Sequence, residues 1–416
     1  MPAIVIGRDF DDLKKYGEKG AIFFGKHIVG TGEDAHLTSP VLIDVLRPHV
    51  IAICGKRGQG KSYSMMIFLE ELSKLPDEIR DNLCALVVDT QGIFWTMKSP
   101  NEQQISLLNE WGLKPRGFDV HVLIPEGQKE IFDKADVNYD DVFYIMPNEL
   151  TPEDWLNVFE LSPIETEGIV LQRALGKLMK DKKEYTIDDI INYLKEEKGF
   201  EREKLVVENY LLAAKQWGVF GPRKQTVSDL ILQPGKMTIL DVSITPQNVR
   251  SLVVGLLSKQ ILEERIKARR KEEAAKIEEI KIKRTPMCWI LVDEAHNFVP
   301  AKGKTPSSDI FSKIVKEGRQ PGITTLFATQ RPNKLHPDVL AQCDLVISYR
   351  LTAKADIDAL RAIMQTYVLF DIATYFNELP RVKGAGLILD DNSERIYRIR
   401  SRPRQSWHAG SSPVAI

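Results

Sequence analysis

Residues 55–62 follow the pattern Gly-x-x-x-x-Gly-Lys-Ser, whose residue types and spacing suit phosphate binding. An apolar run precedes the pattern, and residues 63–75 after it space their apolar side chains as a helix does. The glycines permit backbone conformations in which N–H groups turn inward. The positive end of the following helix then adds to this anion-binding loop. The context of strand, loop and helix is the one that a P-loop requires.

Two side chains of this loop have a predicted chemical role. Lys61 can reach the β- and γ-phosphates of a nucleotide, and the Ser62 hydroxyl can coordinate Mg²⁺. We therefore expect ATP and Mg²⁺ as ligands. The alternative is a chance match in a glycine-rich turn, which the flanking strand and helix disfavour. The predicted nucleotide-binding residues are Gly55, Lys56, Arg57, Gly58, Gln59, Gly60, Lys61, Ser62 and Tyr63.

A pair of acidic residues, Asp293 and Glu294, ends the apolar run 287–292. An aspartate in this position can hold Mg²⁺, mostly through its water shell, and so complete the metal site to which Ser62 contributes. Glu294 is placed to orient and deprotonate an attacking water. The adjacent acids favour hydrolysis over transfer to a second small molecule, although a charged strand end is the structural alternative. His296 could couple the site to its surroundings or be a structural histidine.

Two further polar residues end apolar runs that are predicted to be strands. Gln330 follows the run 323–329 and is placed to sense a γ-phosphate. Asp89 ends the run 84–88, at the edge where parallel sheets bind ligands. The alternative for Asp89 is a simple strand-end turn with Gly92.

Apolar runs that alternate with helical patterns predict an α/β fold with a mainly parallel sheet and helices on both faces. We predict five segments along the chain. They are a short β-rich N-terminal segment (1–48), the first part of the core (49–149), an all-helical insertion (150–235), the second part of the core (236–400) and an extended C-terminal tail (401–416).

Composition excludes few functions. The 57 Lys and Arg residues balance 58 Asp and Glu residues, so the chain is not globally basic, although a local basic face remains open. Residues 263–284 mix both charges, which favours a solvated helix face over a nucleic-acid contact. The four cysteines lack metal-site spacing and are predicted to be reduced core thiols. No signal peptide or membrane-length apolar run is visible, which predicts a cytoplasmic protein without a membrane partner.

Four motifs together resemble the HerA–FtsK superfamily, most closely the archaeal HerA-like ATPases. They are the P-loop at 55–62, Leu-Val-Asp-Glu-Ala-His-Asn-Phe-Val-Pro at 291–300, Glu-Gly-Arg-x-x-Gly-Ile at 317–323 and Thr-Gln-Arg-Pro at 329–332. The resemblance covers about residues 40–400. It implies a RecA-like P-loop NTPase core, a ring that is usually a hexamer, and ATP-driven translocation or unwinding of double-stranded DNA. It also implies work with a NurA-type nuclease in DNA end processing.

The same resemblance assigns residue roles. It implies that Lys61 and Ser62 bind nucleotide and Mg²⁺, that Asp293 and Glu294 form the acidic pair, and that Gln330 is the sensor. Arg319 matches the family's arginine finger, which reaches into the neighbouring subunit's site and makes hydrolysis depend on assembly. Arg331 and Arg350 are the alternatives for that finger.

Two departures from the family pattern change the expectations. The stretch before residue 51 is shorter than the family's N-terminal β-barrel, which predicts a reduced or absent barrel and weakens the case for a NurA-type partner. The family's Asp-x-x-Gly-Glu appears as Asp89-Thr90-Gln91-Gly92-Ile93, without its glutamate.

The alternatives to a DNA motor are a packaging, conjugation or secretion motor of the same superfamily and a nucleotide-switched regulatory module. A small-molecule kinase is disfavoured by the acidic pair.

Overall fold

The strands of this chain form one twisted sheet in the computed structural model, which describes residues 1–222, 226–363 and 372–410. Thirteen strands lie within these residues. They are β1 Ile4–Ile6, β2 Ala21–Val29, β3 His36–Asp44, β4 Val50–Cys54, β5 Leu83–Asp89, β6 His121–Pro125, β7 Asp141–Phe143, β8 Met237–Asp241, β9 Met287–Val292, β10 Ile323–Thr329, β11 Leu345–Tyr349, β12 Ala385–Asp390 and β13 Arg395–Ser401.

The order of strands across the sheet is β1-β3-β2-β13-β12-β11-β4-β10-β9-β5-β8-β6-β7. All pairings from β11 to β7 in this order are parallel, whereas β2, β3, β12 and β13 pair antiparallel. The predicted parallel sheet is therefore the central block, and an antiparallel extension adjoins it at β11. The carboxyl ends of the parallel strands share one edge, where ligands bind in sheets of this kind.

Helices cover both faces of the sheet because alternate strand residues point to opposite sides. In β4, Ile51 and Ile53 pack with the apolar side chains of the helix that follows the P-loop, while Ala52 and Cys54 pack on the other face. The helices within the described residues are α1 Phe10–Tyr16, α2 Lys61–Ser73, α3 Asp77–Arg80, α4 Ile105–Glu110, α5 Lys129–Lys134, α6 Pro152–Phe159, α7 Thr166–Asp181, α8 Ile187–Glu196, α9 Glu201–Lys215, α10 Val227–Leu230, α11 Gln247–Ile277, α12 Ser308–Glu317, α13 Pro337–Ala341, α14 Lys354–Ile363 and α15 Ile372–Glu378.

The segment from α6 to α10 is helical, and three of its helices begin with the same capping arrangement. Thr151, Thr186 and Thr226 each accept a hydrogen bond from the backbone N–H three residues later, and the aspartate there accepts the threonine's own N–H. Such reciprocal caps satisfy backbone donors at both positions. The apolar side of these helices joins the core on the α11 face of the sheet, so the segment packs directly against the α/β core.

The N-terminal residues extend the same sheet. β3 pairs antiparallel with β2 and parallel with β1, and β2 pairs with β13 near the other end of the chain. Strand β1 and helix α1 were not expected from the sequence. The cysteines are free and buried, in agreement with the expected core thiols. Among the described residues, no helix has the length and apolar character needed to cross a membrane.

Three expectations reach residues beyond those described. The sequence also predicts helices over residues 356–364 and 369–379. The first is seen as α14 and the second as α15, but residues 364 and 369–371 lie outside the described part. Residues 411–416 of the predicted tail lie outside it as well.

Residues 402–410, called the C-terminal strap below, have no helix and follow β13 across helix α2. An extended polar tail was expected, but Arg402, Arg404 and Ser406 are fully buried. The cause is Glu70 of α2, a fully buried carboxylate that forms an ion pair with Arg402 at 2.8 Å and accepts the Ser406 N–H at 2.9 Å and its hydroxyl at 2.6 Å. Burial alone would raise the pKa of Glu70, but Arg402 and Arg404 lower it.

We predict that Glu70→Ala destabilises the fold by about 3–5 kcal/mol, because Ser406 loses its buried acceptor and the buried Arg402 guanidinium keeps only Glu71 as a carboxylate partner. Urea denaturation followed by circular dichroism measures this loss. Asp188→Ala is the control, since Asp188 pairs at 2.8 Å with Lys215 on the exposed surface, where ion pairs contribute little. Equal losses in the two variants would contradict the anchoring role of Glu70.

Candidate nucleotide-binding site

The P-loop lies between β4 and α2, and its glycines are required by its shape. Gly58 and Gly60 have φ angles of 77° and 101°, which side-chain-bearing residues rarely adopt. A Cβ on Gly55 would lie 2.9 Å from the Cβ of Tyr349 on β11, which is closer than two carbon atoms pack. The loop can therefore keep this turn only with glycine at these positions.

The P-loop side chains lie beside the end of β9. Ser62 Oγ donates a hydrogen bond to Asp293 Oδ2 at 3.1 Å. Lys61 Nζ lies 3.4 Å from its acceptor, the Lys56 carbonyl oxygen, and burial lowers the pKa of Lys61. Burial and the adjacent Glu294 charge raise the pKa of Asp293 to about 6. The hydroxyl and carboxylate oxygens of Ser62 and Asp293 are the ligand types that Mg²⁺ prefers, so this pair fits the ion.

Glu294 has an unusual backbone and a specific partner. Its φ and ψ angles of 49° and 46° lie in the left-handed region, which is strained for a residue other than glycine. Gln330 Nε2 donates a hydrogen bond to Glu294 Oε1. The other carboxylate oxygen, Oε2, is buried and has no hydrogen-bond partner among the described residues. One oxygen of Glu294 is thus held by the predicted sensor, and the other can accept a proton from a ligand or water.

His296 lies beside this acidic group. Its Nδ1 is 3.1 Å from Thr329 Oγ1 and 3.5 Å from Glu294 Oε2. Burial lowers the pKa of His296, which favours a neutral ring at neutral pH. The histidine therefore connects the end of β10 to the acidic pair.

Asp89 shapes the loop after β5. Its carboxylate accepts four backbone N–H groups, from Gln91 and Gly92 at 2.9 and 2.8 Å and from Ile93 and Phe94 at 2.8 and 2.7 Å. Burial and the nearby Asp241 carboxylate raise the pKa of Asp89 to about 7. Asp89 therefore forms a strand-end turn, which was the alternative expected from the sequence. The loop that Asp89 holds contributes Gln91 and Ile93 to the cavity beside the P-loop.

P-loop residues 57–62, the acidic pair and Gln330 line one cavity of about 620 Å³, a size typical of small-molecule sites. The structure brings Lys61, Ser62, Asp293, Glu294 and Gln330 together there, as expected from the sequence. The cavity also has a wall that was not predicted. Residues of this second wall include Asn101, Gln104, Leu107, Trp111, Lys383, Arg400, Arg402, Pro403, Trp407, His408 and Gly410. No local motif marks them in the sequence, since they come from the α4 region and the chain's C-terminal part.

Arg319 lies outside the cavity of its own chain. Its side chain is half exposed, and Nη2 is 3.3 Å from Asp344 Oδ1. Asp344 also contacts the buried His49 at 2.6 Å, and His49 contacts Asp44. Burial would lower the pKa of His49, but hydrogen bonds to these two aspartates outweigh it and raise the pKa to about 9. Arg331 and Arg350 do not line the cavity either.

The fold and the site together define the class of this protein, a P-loop NTPase with a RecA-like core. Two solved structures share the fold. VirB4 of Thermoanaerobacter pseudethanolicus has a TM-score of 0.56 at 14% identity, over 91% of this chain and 97% of that one. The plasmid coupling protein TrwB, solved with ADP and Mg²⁺, has a TM-score of 0.53 at 14% identity, over 94% of this chain and 96% of that one.

Sequence comparison gives the family. The family described as the central domain of helicase HerA matches residues 22–261. The chain therefore belongs to the HerA family, within the HerA–FtsK superfamily that the motifs indicated.

Curated relatives match over most of this chain but only part of their own length. A probable helicase of Methanocaldococcus jannaschii is 23% identical over 379 residues, which are 85% of this chain and 62% of that protein. The DNA double-strand break repair helicase HerA of Saccharolobus solfataricus is 23% identical over 358 residues, 83% of this chain and 62% of that one. The chain thus spans less than two thirds of the length of these relatives.

Proposed function

We propose that this protein is an ATPase that assembles into a ring, expected to be a hexamer, and uses ATP hydrolysis to translocate along or unwind double-stranded DNA. The observation that carries the proposal is the contact between Ser62 and Asp293 beside the Glu294–Gln330 pair, in one cavity. This arrangement provides a phosphate loop, a metal-binding pair and a candidate base together. Membership of a helicase family supports DNA as the cargo.

The P-loop binds the triphosphate in this proposal. The positive-φ glycines shape the loop around the phosphates, and the N-terminus of α2 adds its dipole. Lys61 places its ammonium group near the β- and γ-phosphates. Burial lowers the pKa of Lys61 and so destabilises its charged form in the protein alone. A polyanionic ligand beside the ammonium group would stabilise that charged form.

Ser62 and Asp293 would hold Mg²⁺ through their side-chain oxygens. When bound, the ion supplies positive charge that offsets the charge of the phosphates. Asp293 is almost completely buried next to Glu294, and this placement raises its pKa to about 6. A cation would favour its ionised form, so the residue suits this function.

Glu294 is the proposed general base. Its Oε2 would accept a proton from the water that attacks the γ-phosphorus, while the bond to ADP breaks. Gln330 donates to the other oxygen of Glu294. A γ-phosphate oxygen would compete for this amide donor, and the position of Glu294 would then report whether ATP or ADP is bound. The structure thus supports the sensor function expected of Gln330.

Arg319 is the proposed arginine finger for the neighbouring subunit. It is absent from its own chain's cavity, half exposed and held at the surface by Asp344. A guanidinium in this position can stabilise transition-state charge only in an adjacent copy.

The NurA-type nuclease partner and the cytoplasmic location stay predictions, and the likeness to VirB4 and TrwB concerns the fold alone.

Lys61→Ala and Glu294→Gln should separate binding from hydrolysis. We expect Lys61→Ala to weaken ATP binding because a phosphate contact is lost, whereas Glu294→Gln should bind ATP normally and lose at least about 100-fold in turnover. Fluorescent-nucleotide titration and a phosphate-release assay measure the two quantities. An equal loss of binding in both variants would contradict the division of roles.

Arg319→Ala should leave ATP binding by the isolated chain unchanged and reduce hydrolysis in the ring by about 1000-fold or more, because an arginine finger acts only on the transition state. Single-turnover hydrolysis by the assembled protein measures this effect. Arg331→Ala is the matched control. Full activity of the Arg319 variant, with loss in the Arg331 variant, would transfer the role to Arg331.

The DNA-motor proposal itself is tested by the ATPase rate with and without linear duplex DNA, alongside the mass of the protein in solution. We expect a ring-sized particle that duplex DNA stimulates, with the stimulation falling between about 50 and 200 mM salt as phosphate contacts weaken. The Glu294→Gln variant controls for contaminating ATPases. A ring that does not respond to DNA would indicate another cargo, and a monomer with bound nucleotide and negligible turnover would indicate a regulatory switch.

A further inference from the structure

The C-terminal strap supplies an aromatic wall to the cavity, directly beside the P-loop. Trp407 and His408 of the strap line the cavity together with Tyr63, the residue that follows Ser62. The His408 ring meets the Tyr63 ring edge to face, with centroids 5.2 Å apart and an interplanar angle of 89°. Nothing in the proposed hydrolysis uses these rings, although they lie in the same cavity as the catalytic groups.

Hydrogen bonds fix the Tyr63 ring. Its hydroxyl accepts the Arg404 backbone N–H at 2.6 Å and donates to Gln104 Oε1 at 3.1 Å. Asn101 Nδ2 donates to the same Gln104 oxygen at 3.0 Å. Because its oxygen accepts from two donors, the orientation of the Gln104 amide is defined. Its Nε2 makes no hydrogen bond with any described residue and can donate to a ligand.

The position of His408 is fixed by Arg404, whose side chain is fully buried. Arg404 Nη1 lies 3.1 Å from His408 Nδ1, and Nη2 donates to the Trp407 carbonyl oxygen at 2.8 Å and to Ser406 Oγ at 2.9 Å. Burial and the Arg404 charge lower the pKa of His408 to about 4, so the imidazole is neutral at pH 7. A neutral, preorganised ring is thus held at the cavity wall.

The chemistry of this wall matches one part of a nucleotide. Flat aromatic rings pack well against a heterocyclic base, and an amide donor at the edge can pair with a ring nitrogen or carbonyl. The phosphate end of the same cavity is occupied by the P-loop residues 58–62. Tyr63, the next residue of the chain, belongs to the aromatic wall. A ligand whose phosphates bind the P-loop would therefore extend its remaining part towards this wall.

We propose that Tyr63 and His408 form the base-binding part of the nucleotide site, with the Gln104 amide at its edge. Because the two rings are perpendicular and Arg404 lies over the Tyr63 ring, the planar base of a nucleoside triphosphate stacks on the His408 ring, which the C-terminal strap holds in place. The inference rests on the proposed nucleotide binding. It extends that proposal because it assigns base recognition to Tyr63 and His408, which lie far apart in the sequence.

The test compares Mg·ATP with Mg·tripolyphosphate, which has the phosphates but no base, by calorimetric titration of the full chain. The unchanged protein should bind ATP more tightly. His408→Ala should weaken ATP binding about tenfold, as expected for loss of one aromatic contact with a base, and should leave tripolyphosphate binding unchanged. His408→Phe keeps a ring and should retain most of the ATP affinity. Lys61→Ala should weaken binding of both ligands.

His36→Ala, which removes an exposed histidine on β3, is the matched control and should change neither affinity. If the unchanged protein binds neither ligand, the nucleotide-binding proposal itself fails. If it binds ATP and the His408→Ala variant binds both ligands as before, base recognition by His408 is overturned while nucleotide binding stands. A parallel loss of both ligands in that variant would also overturn it, because His408 would then act on the shape of the P-loop.

Discussion

The parallel pairing of β4, β10 and β9 is the constraint on which the site depends. Thr329 pairs with Cys54 and Phe327 pairs with Val292, so the three strands end at the same edge of the sheet. The P-loop, Gln330 and the acidic pair each follow directly from one of these ends. Their proximity therefore results from strand register, and helices on both faces keep that register by burying alternate residues.

The charges at this edge are incompletely compensated in the protein alone. Burial lowers the pKa of Lys61 and raises that of Asp293, so both shifts favour the neutral forms. A triphosphate with its metal ion carries the complementary charges, and its binding would favour both ionised forms. The left-handed backbone of Glu294 adds local strain at the same place. The edge is thus organised for a charged ligand at some cost to the stability of the protein alone.

The C-terminal strap connects stability to the proposed site. Glu70 lies on α2, the helix that begins at the P-loop, and its carboxylate binds the strap at Gln405 and Ser406. The same strap then supplies Trp407 and His408 to the cavity wall. Because buried ion pairs and hydrogen bonds hold this segment in the protein alone, the wall is formed before a ligand arrives, which lowers the entropic cost of binding.

The P-loop, the acidic pair, the candidate sensor and the parallel α/β core could be predicted from the sequence, because each depends on short-range motifs and apolar periodicity. The strand order, the pairing of β2 with β13, the position of Arg319 outside its own cavity and the burial of the strap could not be predicted, because they depend on contacts between residues far apart in the chain. The contact between Glu70 and Ser406 joins residues 336 positions apart. No local pattern encodes such a pairing, since it exists only when the sheet brings both ends of the chain to one helix.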